Sequence, residues 1–181
     1  MFDDFYIWCS TSIPTQTLYP SLFVTAIILI TTLFLCKNKY KGVLWVVMAE
    51  YLFLVLSSTL FCRSIMPESR LELTPFWTYH AALIDKMPGV SVWDIVLNVV
   101  LFLPIGFLVK LLYPTMEIIK IALIAVCCSV FIEANQYYFE KGVAQFDDVM
   151  HNTLGAIIGG AVSWSCVEGF NKFKCSRGLF K

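Results

Sequence analysis

Glu133 and Gln136 stand three residues apart inside an apolar run, and Asp147, Asp148 and Asn152 lead into the next one. On a helix the first two share a face. A carboxylate or an amide among apolar neighbours must be paired, hydrated or neutralised, and a membrane tolerates one mainly where a site needs it. The stretch VFIEANQYYFEKGVAQFDDVMHNTLGAIIGG, Val130 to Gly160, is therefore two hydrophobic segments meeting at a polar hinge, and that hinge is the candidate site. Glu133 precedes Phe139 by six residues. That places it roughly 9 Å below the end of its span at the helical rise of about 1.5 Å per residue. Asn98, four residues after Asp94, and Asn152, four after Asp148, should reach comparable shallow depths on neighbouring helices.

Two kinds of chemistry suit such a set. Glu133 could serve as a general base with Asp148 orienting it, if partial burial brings its pKa near working pH. The amides of Asn98, Gln136 and Asn152 equally suit interhelical hydrogen bonds, each contributing about 0.6 kcal/mol. For Glu133 a structural reading requires a cation, and Arg70 or Lys141 could supply it. Asp147 and Asp148 stand where a helix begins, so capping accounts for one of them. The other, with His151 and Asn152 one turn on, could hold a cation or polarise a headgroup, but the ligands fall short of a recognisable metal site. No metal and no cofactor is expected. His80, beside Trp77 and Tyr79, reads as an interfacial side chain, and Glu50 as either neutral and hydrogen-bonded or paired. Motifs of the GxSxG, HExxH, Walker A and dinucleotide types are absent, as is the Arg, His and Asp pattern of membrane lipid phosphatases, so whether the protein is an enzyme stays open.

The elements that must position these residues are apolar. Of 181 residues 59% are hydrophobic and 14% charged, with a mean hydropathy of +0.75, against about 25% charged in soluble domains. Five runs, at about 18–36, 43–61, 95–113, 118–139 and 149–167, approach the ~20 residues that cross a hydrocarbon core. The N-terminus lacks the basic start and small-residue cleavage site of a secretory signal, so no segment is expected to be removed. Lys37, Lys39 and Lys41 form a compact basic loop and the tail NKFKCSRGLFK is basic. With five spans from an outside N-terminus, nine Lys and Arg fall at or near the cytoplasm and four outside, which predicts N-out, C-in. The connector from Cys62 to Val92 is then external, and its length predicts an interfacial helix or re-entrant piece. Pro104 should kink the third span.

The seven cysteines do not read as a disulfide framework, although Cys9 and Cys62 could share a face. Gly155 and Gly159 form a GxxxG step, extended by Gly160, that lets a helix approach closely. Net charge is zero and no nucleic-acid partner is expected.

Four pieces together resemble the VanZ-like family of bacterial membrane proteins: Arg70 with LTPF (Leu73 to Phe76), NVVLFLPIGF (Asn98 to Phe107), IEANQ (Ile132 to Gln136) and DDVMHNTLGAIIG (Asp147 to Gly159). They cover about residues 70 to 160, in the family's order. The resemblance implies a polytopic protein of Gram-positive-type bacteria linked to low-level teicoplanin resistance. It carries the family's polar signature onto Arg70, Asn98, Glu133, Gln136, Asp148 and Asn152. Two departures are Gln145, where an acidic residue is common, and His151, where the family is usually apolar or small.

The expectation is one all-α, polytopic transmembrane helix bundle in the bacterial cell membrane, with a long external connector between spans two and three. Glu133 and Asp148 are the candidate catalytic residues, and Arg70, Asn98, Gln136, Asp147 and Asn152 the candidate ligand-binding ones. The expected partners are membrane lipids, with a lipoglycopeptide or a cell-wall precursor lipid as ligand, and helix association through Gly155 and Gly159.

Overall fold

Each of the five apolar runs folds as a helix. In the computed structural model, which describes residues 15–35, 37–61, 63, 65, 70–87 and 90–176, these are α1 (Thr15–Leu35), α2 (Lys39–Leu56), α4 (Val92–Leu112), α5 (Ile118–Tyr138) and α6 (Phe146–Ser176). A single-turn α3 (Trp77–Tyr79) lies in the connector. Among the described residues three helices, Lys39–Phe61, Val92–Leu112 and Ile118–Tyr138, are long and apolar enough to cross a membrane. The proposed Cys9–Cys62 pairing, the N-terminal segment before Thr15 and the last five residues of the tail lie outside the described residues.

Local chemistry sets the helix ends. Asn38 accepts the Lys41 N–H at 3.1 Å and starts α2. Ser91 and Asp94 form a reciprocal capping box at the start of α4, with Trp93 N–H on the Ser91 hydroxyl at 3.1 Å and Ser91 N–H on Asp94 at 2.8 Å. Pro104 lies inside α4, which continues across it from Val92 to Leu112. At the far end of α5 the chain turns through Glu140 in the left-handed region (φ 55°), and the Lys141 N–H closes back onto the Gln136 carbonyl at 2.8 Å.

One element departs from the all-helical expectation. β1 (Arg70–Glu72) and β2 (Val143–Gln145) pair in parallel, with Arg70 opposite Val143, Leu71 opposite Ala144 and Glu72 opposite Gln145. The connector therefore carries a strand before its helical turns, and the hinge is half strand. Three residues are too few for an alternating pattern to register in sequence.

By contact the chain divides into two units, one made of residues up to Pro75 with Cys128–Asp147, the other of Phe76–Cys127 with the chain from Asp148 onward. In the first, α1 packs on α2, and α2 continues into a π-helical turn, Ser57–Phe61, whose residues Ser57 to Leu60 are buried. Glu50 on α2 accepts a hydrogen bond from the Thr25 hydroxyl of α1, so its partner is a neutral side chain.

In the second unit α4 and α6 meet backbone to backbone. A Cβ on Gly106 would fall 1.9 Å from the Ala156 carbonyl oxygen, one on Gly155 2.1 Å from that of Val99, and one on Gly159 1.9 Å from that of Leu103. The GxxxG face is thus occupied by the chain's own α4. Around it Phe102, Ile105, Leu112, Ile121 and Ala156 are buried.

Candidate functional site

In the first unit the polar residues of α5 are tied to the connector and the hinge. Gln136, 2% exposed, donates from Nε2 to the Thr59 carbonyl at 3.2 Å and accepts from Arg63 Nη1 at 3.3 Å. The Thr59 carbonyl belongs to the π-helical turn that continues α2, at a helix end where carbonyls lack an intrahelical partner, so Gln136 satisfies that end. Lys141 does the same for Leu60, whose carbonyl accepts from Nζ at 2.9 Å. A cation at a helix C-terminus also meets the favourable end of the helix dipole. Arg63 lies against Gly142, where a Cβ would stand 2.7 Å from Nη1. Glycine here leaves room for the guanidinium.

Glu133, 7% exposed, accepts the Gln145 backbone N–H of β2 through Oε2 at 3.0 Å. This buried carboxylate therefore holds the strand beside it. Asp147, 2% exposed, sits in the first turn of α6. Glu72, opposite Gln145, has its carboxyl held below the usual range by hydrogen bonds from the Thr74 side chain and then its backbone N–H, partly offset by slight burial and the charge of Asp147. Arg70 is exposed at the start of β1. Among the described residues no carboxylate lies within ion-pair distance of Arg63, Arg70 or Lys141.

In the second unit Asn98 donates from Nδ2 to Asp148 Oδ1 at 2.6 Å, which links α4 to the start of α6. One turn along α6, His151 (3% exposed) and Asn152 (3% exposed) are buried. His151 Nε2 shares a hydrogen bond with the Tyr79 hydroxyl at 2.9 Å, and the rings meet edge-on with centroids 5.4 Å apart. His80, by contrast, pairs on the surface with Asp85 at 3.2 Å.

The structure thus joins Asn98 to Asp148, and Gln136 to Arg63 and the π-helical turn after α2, while Glu133 accepts a backbone N–H of β2. Gln136, Thr59 and Arg63 are brought together over sequence separations of more than 70 residues, which no local pattern encodes. The Tyr79–His151 pair also went unread; its sequence signal was the histidine at an ordinarily apolar position of the family. No group of three or more metal-ligating side chains is gathered among the described residues.

Compared with protein families, residues 22–167 match the one described as VanZ/LLP1. The chain belongs to the VanZ/LLP1 family. The match covers most of the chain and takes in α1, α2 and Glu50, so it is wider than the motif-bearing stretch from 70 to 160. No curated protein and no solved structure matches it. A VanZ/LLP1 member with three long apolar helices is a membrane protein.

Proposed function

We propose that this protein spans the bacterial membrane five times, N-out and C-in, and contributes to low-level teicoplanin and lipoglycopeptide resistance from the outer leaflet. It acts there on the drug's membrane anchoring, or on an envelope lipid or precursor that the drug's anchoring requires. The observation that carries this reading is the amphiphilic edge at β1. Arg70, exposed and without a carboxylate partner among the described residues, is followed by Leu71 at 56% and Leu73 at 62% exposure. A cation beside exposed aliphatic side chains suits an anionic head joined to an acyl chain, and the arginine fork suits carboxylate and phosphate alike.

In this reading Arg70 meets the ligand, while Glu133, Gln136 and Asp147 fix the hinge against which β1 pairs. Asn98, Asp148 and Asn152 brace α4 against α6 in the other unit. Teicoplanin carries an acyl chain that vancomycin lacks, so an effect on anchoring discriminates between them. Raising expression in a susceptible host should raise teicoplanin tolerance and leave vancomycin tolerance nearly unmoved. Equal shifts for both drugs would refute the proposal.

A membrane enzyme with Glu133 as base and Asp148 as its orienting partner is the competing reading, and Glu133→Gln separates the two. Glutamine keeps an acceptor oxygen for the Gln145 N–H but cannot take a proton. Retained drug selectivity in that variant supports the anchoring role, and its loss at normal protein levels supports the enzyme.

A further inference from the structure

Three cations of the first unit gather about the Lys141–Val143 stretch. Lys141 begins it; Arg63 covers Gly142, where only the missing side chain makes room for Nη1; Arg70 stands opposite Val143 in the strand register. Arg63 is also preorganised. Its Nη1 is held by Gln136 Oε1, and the buried Gln136 is itself fixed by its bond to the Thr59 carbonyl. Among the described residues this contact to a neutral amide engages one of the guanidinium's five donors. Lys141 spends one donor on the Leu60 carbonyl and keeps the others. No carboxylate among the described residues neutralises any of the three.

We infer that Arg63, Arg70 and Lys141 form a binding site for a phosphomonoester group, the headgroup class of the amphiphile taken at β1. This inference rests on the functional reading above and narrows it. A carboxylate offers one charge and two oxygens, which a single arginine can satisfy. A phosphomonoester carries close to two charges and three strong acceptor oxygens, so it can engage donors from three side chains at once. Exposed Leu71 on β1 and Leu73 just beyond its end, with Phe61 and Ile65 exposed upstream, give a lipid-borne phosphate an apolar flank for its chain.

The test uses the full chain in nanodiscs of phosphatidylcholine doped with dioleoyl phosphatidic acid, or separately with dioleoyl phosphatidylglycerol, and reads retained lipid by native mass spectrometry. Phosphatidic acid should be retained about tenfold over phosphatidylcholine, and Arg70→Gln and Arg63→Gln should each reduce that preference several-fold, the order expected for loss of one charge-assisted contact. Arg70 is exposed and no ion pair engages its side chain among the described residues, so its variant should fold even if Arg63→Gln loosens the turn that follows α2. Inorganic phosphate that displaces the lipid would assign recognition to the phosphate alone; failure to displace it would assign a share to the chain. Either supports the site. Equal retention of phosphatidic acid and phosphatidylcholine, equal retention of phosphatidylglycerol, or wild-type behaviour in both variants overturns it. Teicoplanin tolerance measured on the same variants separates the two readings. Selective tolerance without phosphate preference refutes only the ligand class, and phosphate preference without selective tolerance refutes only the resistance reading.

Discussion

At the scale of the residue, the sequence marks which polar groups stand in apolar surroundings and hides what they touch. An acidic residue inside an apolar run announces itself, so Glu133 and Glu50 stood out at once. What each would touch could not be read. Glu133 accepts a strand N–H and Glu50 a threonine hydroxyl, and neither choice leaves a local pattern. The Glu133 bond makes a quantitative prediction. Glu133→Ala leaves a part-buried N–H without this acceptor and should lower stability by about 1–3 kcal/mol, whereas Glu133→Gln should cost under about 1 kcal/mol. Denaturation of both variants in detergent would check it, and equal losses would contradict it. A second prediction concerns Glu72. Thr74→Val removes the side-chain hydrogen bond that contributes most to keeping its carboxyl ionised. The folded-state value lies below the ordinary one, so wild-type Glu72 should hold its charge to lower pH than an ordinary glutamate, and in the variant its NMR titration midpoint should move up. An unchanged midpoint would remove Thr74 as the cause.

At the scale of the element, hydropathy and length located the five long helices among the described residues, with boundaries within a few residues at most ends, because 20-residue apolar runs admit few other structures. The β1–β2 pair escaped for the converse reason. Its strands are three residues each and their pairing joins positions 70 and 143, so it is specified by tertiary contact alone. Glycine spacing carried more information than its motif suggested. Gly106, Gly155 and Gly159 face backbone carbonyls at 1.9–2.1 Å from a Cβ, Gly160 faces the side-chain ends of Ile118 and Ile121 at 2.8 and 3.1 Å, and Gly169 faces nothing within 4 Å. Alanine at the first three must push two helix backbones apart and should cost about 1–3 kcal/mol or more each. Alanine at Gly160 can be absorbed by isoleucine rotamers, and at Gly169 it should stabilise the helix slightly, as removal of an interior glycine does. Thermal unfolding of the five alanine variants should follow that order, and a damaging Gly169→Ala or a harmless Gly159→Ala would contradict the α4–α6 contact.

At the scale of the whole molecule, the low charge content and long apolar blocks set the class, and four motifs in one order point to the family that residues 22–167 match. Function is harder to reach, because a ligand for a membrane protein is recognised by side chains that tertiary structure assembles. Arg70 was visible from its motif, while Arg63 became relevant only when the fold laid it on Gly142 and bound it to Gln136. The measurement that bears most directly on the account is teicoplanin and vancomycin susceptibility in a null host expressing wild type or Arg70→Gln at verified equal membrane levels. The account predicts a teicoplanin-selective rise in tolerance for wild type, most of it lost in Arg70→Gln, with vancomycin tolerance nearly constant throughout. Full selective tolerance in Arg70→Gln, or no selective effect from wild type, would contradict it.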